Sequence, residues 1–360
     1  MSQEHASRHE PFEVLEIACD SFFQIIFPDR TTHVAINHSR GRLERGGKQP
    51  ITLRKLRELL RDVSRGRYSL IVVGGIQKVL WNRHRSLFKN IVSVFQHLAF
   101  PASLTPYFVI RIASAANVSI IAYDVSDTML ISSEYFFLFP HIRAFFKREI
   151  SQNRWHVFLS TTPKNGDVTN IRRQRLFQEA IAKIHPLPLH VGPERYDFRE
   201  VRAEEKTTDI FYVGENPKTT VRTDGVRLLA ELQKMGVVVD IPDERISPDE
   251  FKKRLARSWL AWSPEGSGWE CGRHYESIIC GTVPVINYPT IYRYKPLVDG
   301  VHALYYGCEE KDLIRVVTRA LEDKKALLTM IHNARAHLQQ WYANTSVGEY
   351  ILRESGLAKG

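Results

Sequence analysis

Only four cysteines occur in 360 residues (Cys19, Cys271, Cys280 and Cys308), none spaced as CxxC and none with histidine at zinc spacing. That excludes a disulfide framework and a structural zinc site, and reduced thiols fit a cytoplasmic protein. No apolar run reaches the roughly 18–20 residues that span a bilayer. Met1 to Pro11 is polar and of mixed charge, without the apolar centre of a signal peptide. Internal repeats and low-complexity tracts are missing as well. What is present is ordinary for a globular chain: 43% hydrophobic and 25% charged residues, enough apolar surface to offset chain entropy. Single cores seldom grow much beyond roughly 250–300 residues, so the length predicts two domains.

Acidic residues are in deficit, 40 against 50 Lys and Arg, and the excess is local. Between Arg40 and Arg67 ten basic residues face only Glu44, Glu58 and Asp62, a balance of +7. Thr52 is placed to cap a helix over 52–64 in which Leu53, Leu56, Leu60 and Val63 share a face. Cations on the opposite face read first as solvated surface, and second as a site for an anionic partner such as lipid headgroups. No RNP, zinc-finger or helix-turn-helix signature supports nucleic acid.

Strand and helix patterns alternate along most of the chain. In the first half, 33–37, 69–73, 118–123 and 156–160 read as strands. Helices are predicted near 52–64, 86–98, 141–150 and 170–184. A proline-rich run from His185 to Pro193 and a charged stretch after it break the pattern. The second half continues with strands at 209–213, 237–240, 259–262, 283–287 and 302–306. Ser247-Pro-Asp-Glu250 carries the signature of a capped helix start. The resulting fold class is α/β, with two Rossmann-like doubly wound domains facing a cleft. The predicted domains are 1–190 and 208–345, with a linker at 191–207 and a tail at 346–360.

The chemistry concentrates in Ser263-Pro-Glu-Gly-Ser-Gly-Trp-Glu-Cys-Gly-Arg-His-Tyr-Glu276 and the turn Gly281-Thr-Val-Pro-Val285. A buried strand delivers a loop holding Gly266, Gly268 and Gly272, and the loop opens a helix. Such loops let backbone N–H groups approach a phosphate beside a helix N-terminus. Arg273 sits in the first helical turn, where a cation is unfavourable for the helix itself and makes sense beside a bound anion. Glu276 lies one turn on, near the same face, where a carboxylate can accept both hydroxyls of a ribose. Glycine loops alone are common to all α/β proteins; the added Arg273, Glu276 and Gly281-x-x-Pro-Val favour a ligand site. Trp269, Tyr288, Tyr292, Arg293, Tyr294 and Lys295 are candidates to stack on or cover a ligand, or to pack. The aromatic run 135–139 with Phe145-Phe146-Lys147-Arg148 reads as core or as an acceptor- or membrane-facing surface.

The block Arg273-x-x-Glu276-x-x-x-x-Gly281-x-x-Pro284-Val285, preceded by Ser263-Pro-x-Gly266, resembles the donor site of exostosin-like and related glycosyltransferases of the GT-B fold. The resemblance is confined to roughly 208–307. It implies a C-terminal domain holding a nucleotide sugar and an N-terminal domain holding a glycan or lipid-linked acceptor, as in polysaccharide biosynthesis. Glu276 would bind the donor ribose. Arg273 and the loop Glu265, Gly266, Ser267 and Gly268 would lie near the sugar or pyrophosphate. The turn at Gly214 would face the cleft, with Lys218 or Arg222 meeting the pyrophosphate. Related retaining enzymes carry a Glu-x7-Glu pair whose first position is Gly268 here, with Glu265 and Glu270 out of register. Inverting and retaining chemistry, and hexosyl and pentosyl transfer, therefore stay open.

Arginine and lysine donors can stabilise a leaving diphosphate in place of a metal. Asp124-Val-Ser-Asp127 is spaced one residue too wide for a DxD pair. No metal or cofactor beyond the nucleotide-sugar co-substrate is expected. An inverting transfer needs a base from the N-terminal domain. Asp20, His38, Asp124 and Asp127 are the candidates, Asp124 and Asp127 the best placed. Two other functions fit the same fold, a nucleotide-sugar epimerase and a non-catalytic nucleotide-sugar-binding subunit. The expected location is cytoplasmic, with peripheral contact at an anionic membrane as an option.

Overall fold

The computed structural model describes residues 12–19, 21–36, 51–75, 101–131, 133–158, 178–189, 205–214 and 219–357. The first half builds a sheet from β1 (Val14–Ala18), β2 (Thr31–Ala35), β3 (Leu70–Gly74), β4 (Ser119–Asp124), β5 (Ala144–Lys147) and, after the short β6 (Ile150–Ser151), β7 (Ile184–Pro186). Its order is β2-β1-β3-β4-β5-β7, with every pairing parallel. The second half builds a parallel sheet from β8 (Thr208–Phe211), β9 (Val239–Asp240), β10 (Ser258–Trp262), β11 (Val283–Asn287) and, beyond β12 (Ile291–Tyr292), β13 (Leu304–Tyr306). Here the order is β13-β11-β10-β8-β9. In both sheets the chain steps first to one side and then to the other, so each is doubly wound. The switch points lie between β1 and β3 and between β8 and β10, and ligands of such sheets bind at the carboxyl ends beside that point.

Local chemistry explains most elements. The helix Leu53–Ser64 starts where the Thr52 hydroxyl accepts the Lys55 N–H at 3.2 Å. It buries Leu56, Leu59 and Val63 and leaves Leu53 65% exposed. The apolar stripe therefore runs through Leu59, with Leu60 at its edge, and Arg54, Lys55, Arg57 and Arg61 face water. The helix Pro248–Ala256 begins as predicted, Ser247 Oγ accepting the Glu250 N–H at 3.2 Å. Buried Glu16 ties the first sheet to the short helix Phe23–Ile26. Its carboxylate accepts N–H groups of Phe22 (2.7 Å) and Phe23 (3.0 Å) and the Tyr123 hydroxyl (3.0 Å).

Three expectations are corrected. The stretch 141–150 is not a helix but β5 and the start of β6, because Phe145, Phe146 and Lys147 are buried on both faces of the sheet and show no alternation. Residues 154–157 form a 3-10 turn, not a strand. The break begins later than the prolines suggest, since Ile184–Pro186 is an edge strand and Leu187 is buried. The predicted helix at 86–98 and the first part of that at 170–184 lie outside the described residues, as do Asp20 and His38.

The two halves share one apolar cluster, in which Tyr123, Phe146 and Leu187 join Trp269, Tyr275, Tyr342 and Tyr350. Two further links cross between them. β12 pairs antiparallel with β6, Ile291 opposite Ser151 and Tyr292 opposite Ile150. Residues 344–354, mostly within the expected tail, form the helix Asn344–Glu354, which returns to the first half. Its Tyr350 hydroxyl donates to the Pro186 carbonyl at 2.9 Å. Gly348 fits there because a Cβ would stand 2.8 Å from Phe27. Among the described residues no helix is long and apolar enough to cross a membrane.

Candidate functional site

The second sheet's switch point carries the glycine loop. β10 ends at Trp262, the chain passes through 263–271, and the helix Gly272–Ile279 begins. Arg273 reaches back from that helix to close the switch point. Its Nη1 donates to the Val213 carbonyl after β8 (2.5 Å), and its Nη2 lies 3.4 Å from the Pro264 carbonyl after β10. Its guanidinium also sits 5.8 Å from the Tyr212 ring centre. Gly214 lies against this group, since a Cβ there would fall 2.9 Å from Arg273 Nη1.

The loop is held from two further sides. Arg222, in the first turn of the helix Thr220–Lys234, donates from Nε to the Glu265 carbonyl at 2.9 Å. Asn287, at the end of β11, accepts the Glu265 N–H at 2.8 Å and donates to its carboxylate at 3.0 Å. Gly266 N–H bonds the Gly268 carbonyl at 2.8 Å, which turns the loop tightly and leaves Ser267 exposed at its tip. The structure thus gathers Gly214, Arg222, Glu265, Gly266, Ser267, Gly268 and Arg273 around one edge. Glu276 is half-buried one helical turn beyond Arg273. Lys218 lies outside the described residues.

Behind the loop stands a buried polar layer. The Ser263 hydroxyl donates to His274 Nδ1 at 2.7 Å, and His274 Nε2–H donates to the Trp269 carbonyl at 3.0 Å, which sets the tautomer. Burial pushes His274 down to about 3, so it is neutral and structural. Trp269, a candidate for stacking on a ligand, is only 2% exposed. Its indole N–H donates to the Asn287 carbonyl at 3.0 Å, and Arg293 covers its ring at 4.5 Å. Tyr288 and Tyr292 are exposed, whereas Tyr294 is buried. Beside Glu265 and Asn287 a cavity of about 770 Å³ is lined by Tyr288, Tyr305 and Tyr306.

Across the interface, Asp124 ends β4 and Asp127 lies three residues beyond it; each is paired with a cation, Lys147 at the end of β5 and Arg148 directly after it. Lys147 Nζ donates to Asp124 Oδ2 at 2.8 Å with both side chains buried, and the Ser126 N–H donates to Oδ1 at 2.8 Å. Asp127, 48% exposed, pairs with Arg148. The residue after that pair of cations is Glu149, which the sequence reading passed over. Its carboxylate is buried and reaches the glycine loop, accepting the N–H groups of Glu270 (2.8 Å) and Trp269 (3.2 Å). Burial holds the Glu149 carboxyl above the usual carboxylate range. The signal that finds it is positional: polar residues directly after a buried parallel strand face the crevice, once 144–147 is read as a strand.

Neither a protein-family model nor a curated protein matches the chain. Solved structures do. A glycosyltransferase from Rickettsia africae ESF-5 superposes with a TM-score of 0.57 at 8% identity, covering 98% of this chain and 100% of that one. The chain has a GT-B fold. Anabaena Alr3699/HepE, in complex with UDP, gives a TM-score of 0.48 at 11% identity over 95% of this chain and 99% of that one. The same Anabaena protein with UDP-glucose gives 0.46 at 12% identity, over 95% and 98%.

Proposed function

We propose that the chain is a glycosyltransferase that moves a sugar from a nucleotide-sugar donor to a glycan or lipid-linked acceptor. The observation that carries this reading is the Arg273 guanidinium between the Val213 and Pro264 carbonyls, at the switch point and beside a glycine loop facing the other domain. Cations fixed there meet a diphosphate that gains charge as the sugar leaves, which is the arrangement electrostatic catalysis needs. In this reading Arg273 and Arg222, with Lys218, neutralise the pyrophosphate without a metal, Glu276 takes the ribose hydroxyls, and 265–268 meets the sugar. Asp127 is the better base of the two aspartates, because it is half-exposed while Asp124 is enclosed with Lys147. One observation favours a second reading, a subunit that binds a nucleotide sugar without turnover: both aspartates already have cationic partners.

A thermal-shift screen tests the donor site, using UDP, GDP, ADP, dTDP and their glucose conjugates on wild type and Glu276→Ala. A ligand at 100 times its Kd adds about 2.7 kcal/mol. The expected result is one nucleotide that stabilises wild type and leaves Glu276→Ala unmoved. No shift with any of them at millimolar concentration removes the donor reading. A clear shift without turnover on any acceptor favours the binding subunit.

A further inference from the structure

The geometry points to Glu149 as the residue by which the acceptor-side domain sets the shape of the donor loop; this role rests on the glycosyl-transfer reading above. Glu149 is a rigid arm. β5 ends two residues before it, at Lys147, and β6 begins directly after it. The Arg148 N–H on one side donates to the Asp124 carbonyl at 3.1 Å, and Ile150 on the other pairs with Tyr292 across the interface. The side chain is fully buried, and its two oxygens take two consecutive N–H groups of the loop, Oε2 from Trp269 and Oε1 from Glu270. A buried carboxylate is tolerated where both oxygens are so engaged.

Gly268 packs directly against the same carboxylate. A Cβ on Gly268 would lie 2.6 Å from Glu149 Oε1, closer than such contacts occur. The carboxylate therefore fills the space that any side chain at 268 would need. The loop carries a glycine there because the other domain provides the group. Residues 268–270 are the part of the loop that Glu149 templates, whereas Glu276 and the nucleoside end lie a helical turn further on. A fault at Glu149 should then be felt by the sugar and not by the nucleotide.

Gln is the sharpest replacement. It keeps the size but offers one acceptor where two N–H groups need two, so the loop must rearrange. UDP and UDP-glucose, or the equivalent pair from the screen, are titrated calorimetrically into wild type, Glu149→Gln and Gly268→Ala. In both variants the Kd for UDP should stay within about twofold of wild type, while that for UDP-glucose rises at least about tenfold. An unchanged Kd for UDP-glucose overturns the inference, and so does an equal loss for both ligands, which would mean general damage. A second readout needs no ligand. Amide exchange in the peptide 264–272 should speed up at least about tenfold in Glu149→Gln; unchanged exchange overturns the inference. If wild type binds no nucleotide, the donor reading fails and the exchange result alone decides whether Glu149 shapes the loop.

Discussion

Lys147→Met should destabilise the first domain by about 3–5 kcal/mol, the range seen when one partner of a buried ion pair is removed. Lys147 is completely buried and Asp124 nearly so, and 2.8 Å separates their charged atoms. Burial lowers the Lys147 ammonium, and the attraction of Asp124 opposes that shift. Methionine fills a similar volume, so the loss measures the carboxylate left without its cation more than any cavity. Among the described residues, the Asp124 carboxylate then keeps the Ser126 N–H at 2.8 Å, which cannot neutralise it. Adding Asp124→Asn should recover much of the loss, since a paired replacement costs far less than a broken pair. Urea unfolding of the single and double variants checks this. A midpoint unchanged in Lys147→Met, or a double variant worse than the single, contradicts it.

Glu270→Gln should change the pH dependence of stability. Burial raises the Glu270 carboxyl from 4.5 to about 7; the Tyr275 hydroxyl bonded to it works against that shift, and the nearby Glu149 charge adds to it. The native state therefore keeps a proton that the unfolded chain releases near 4.5. More protons on the native state mean that stability falls as pH rises, here from about 4.5 to about 7. The total is on the order of 3 kcal/mol. Gln stays neutral and retains an oxygen for the Tyr275 hydroxyl. The variant should match wild type near pH 4 and exceed it by up to that amount at pH 8. His274 acts in the opposite sense. Its folded value of about 3 against 6.5 makes the unfolded chain the better proton acceptor, so stability is lost as pH falls through that window. The two slopes offset each other between about 4.5 and 6.5. Urea midpoints at pH 4, 6 and 8 decide; parallel profiles for wild type and Glu270→Gln contradict the assignment.

Local signals carried far in the sequence. The strand, glycine loop and helix around Ser263–Glu276 lie within a few turns of chain, so spacing alone outlined them. The Ser247 cap was legible for the same reason. Glu149 was not, because its partners at 269 and 270 lie about 120 residues away. The strand that aims it, Ala144–Lys147, is buried on both faces and lacks the alternation that marks a strand. The same gap hid the ion pairs of Asp124 and Asp127, which depend on which strands become neighbours. Trp269 is a further case: an aromatic residue in a glycine loop looks available to a ligand until Arg293 is found covering it.

The central claim is that a nucleotide diphosphate binds at the carboxyl ends of β8 and β10. A crystal structure with UDP, or with the diphosphate giving the largest thermal shift, tests it most directly. The account predicts ribose hydroxyls within hydrogen-bond distance of the Glu276 carboxylate and phosphates beside Arg222 and Arg273. A nucleotide seated instead in a separate cavity of about 760 Å³, lined by Arg154, Arg293 and Arg353, would contradict it.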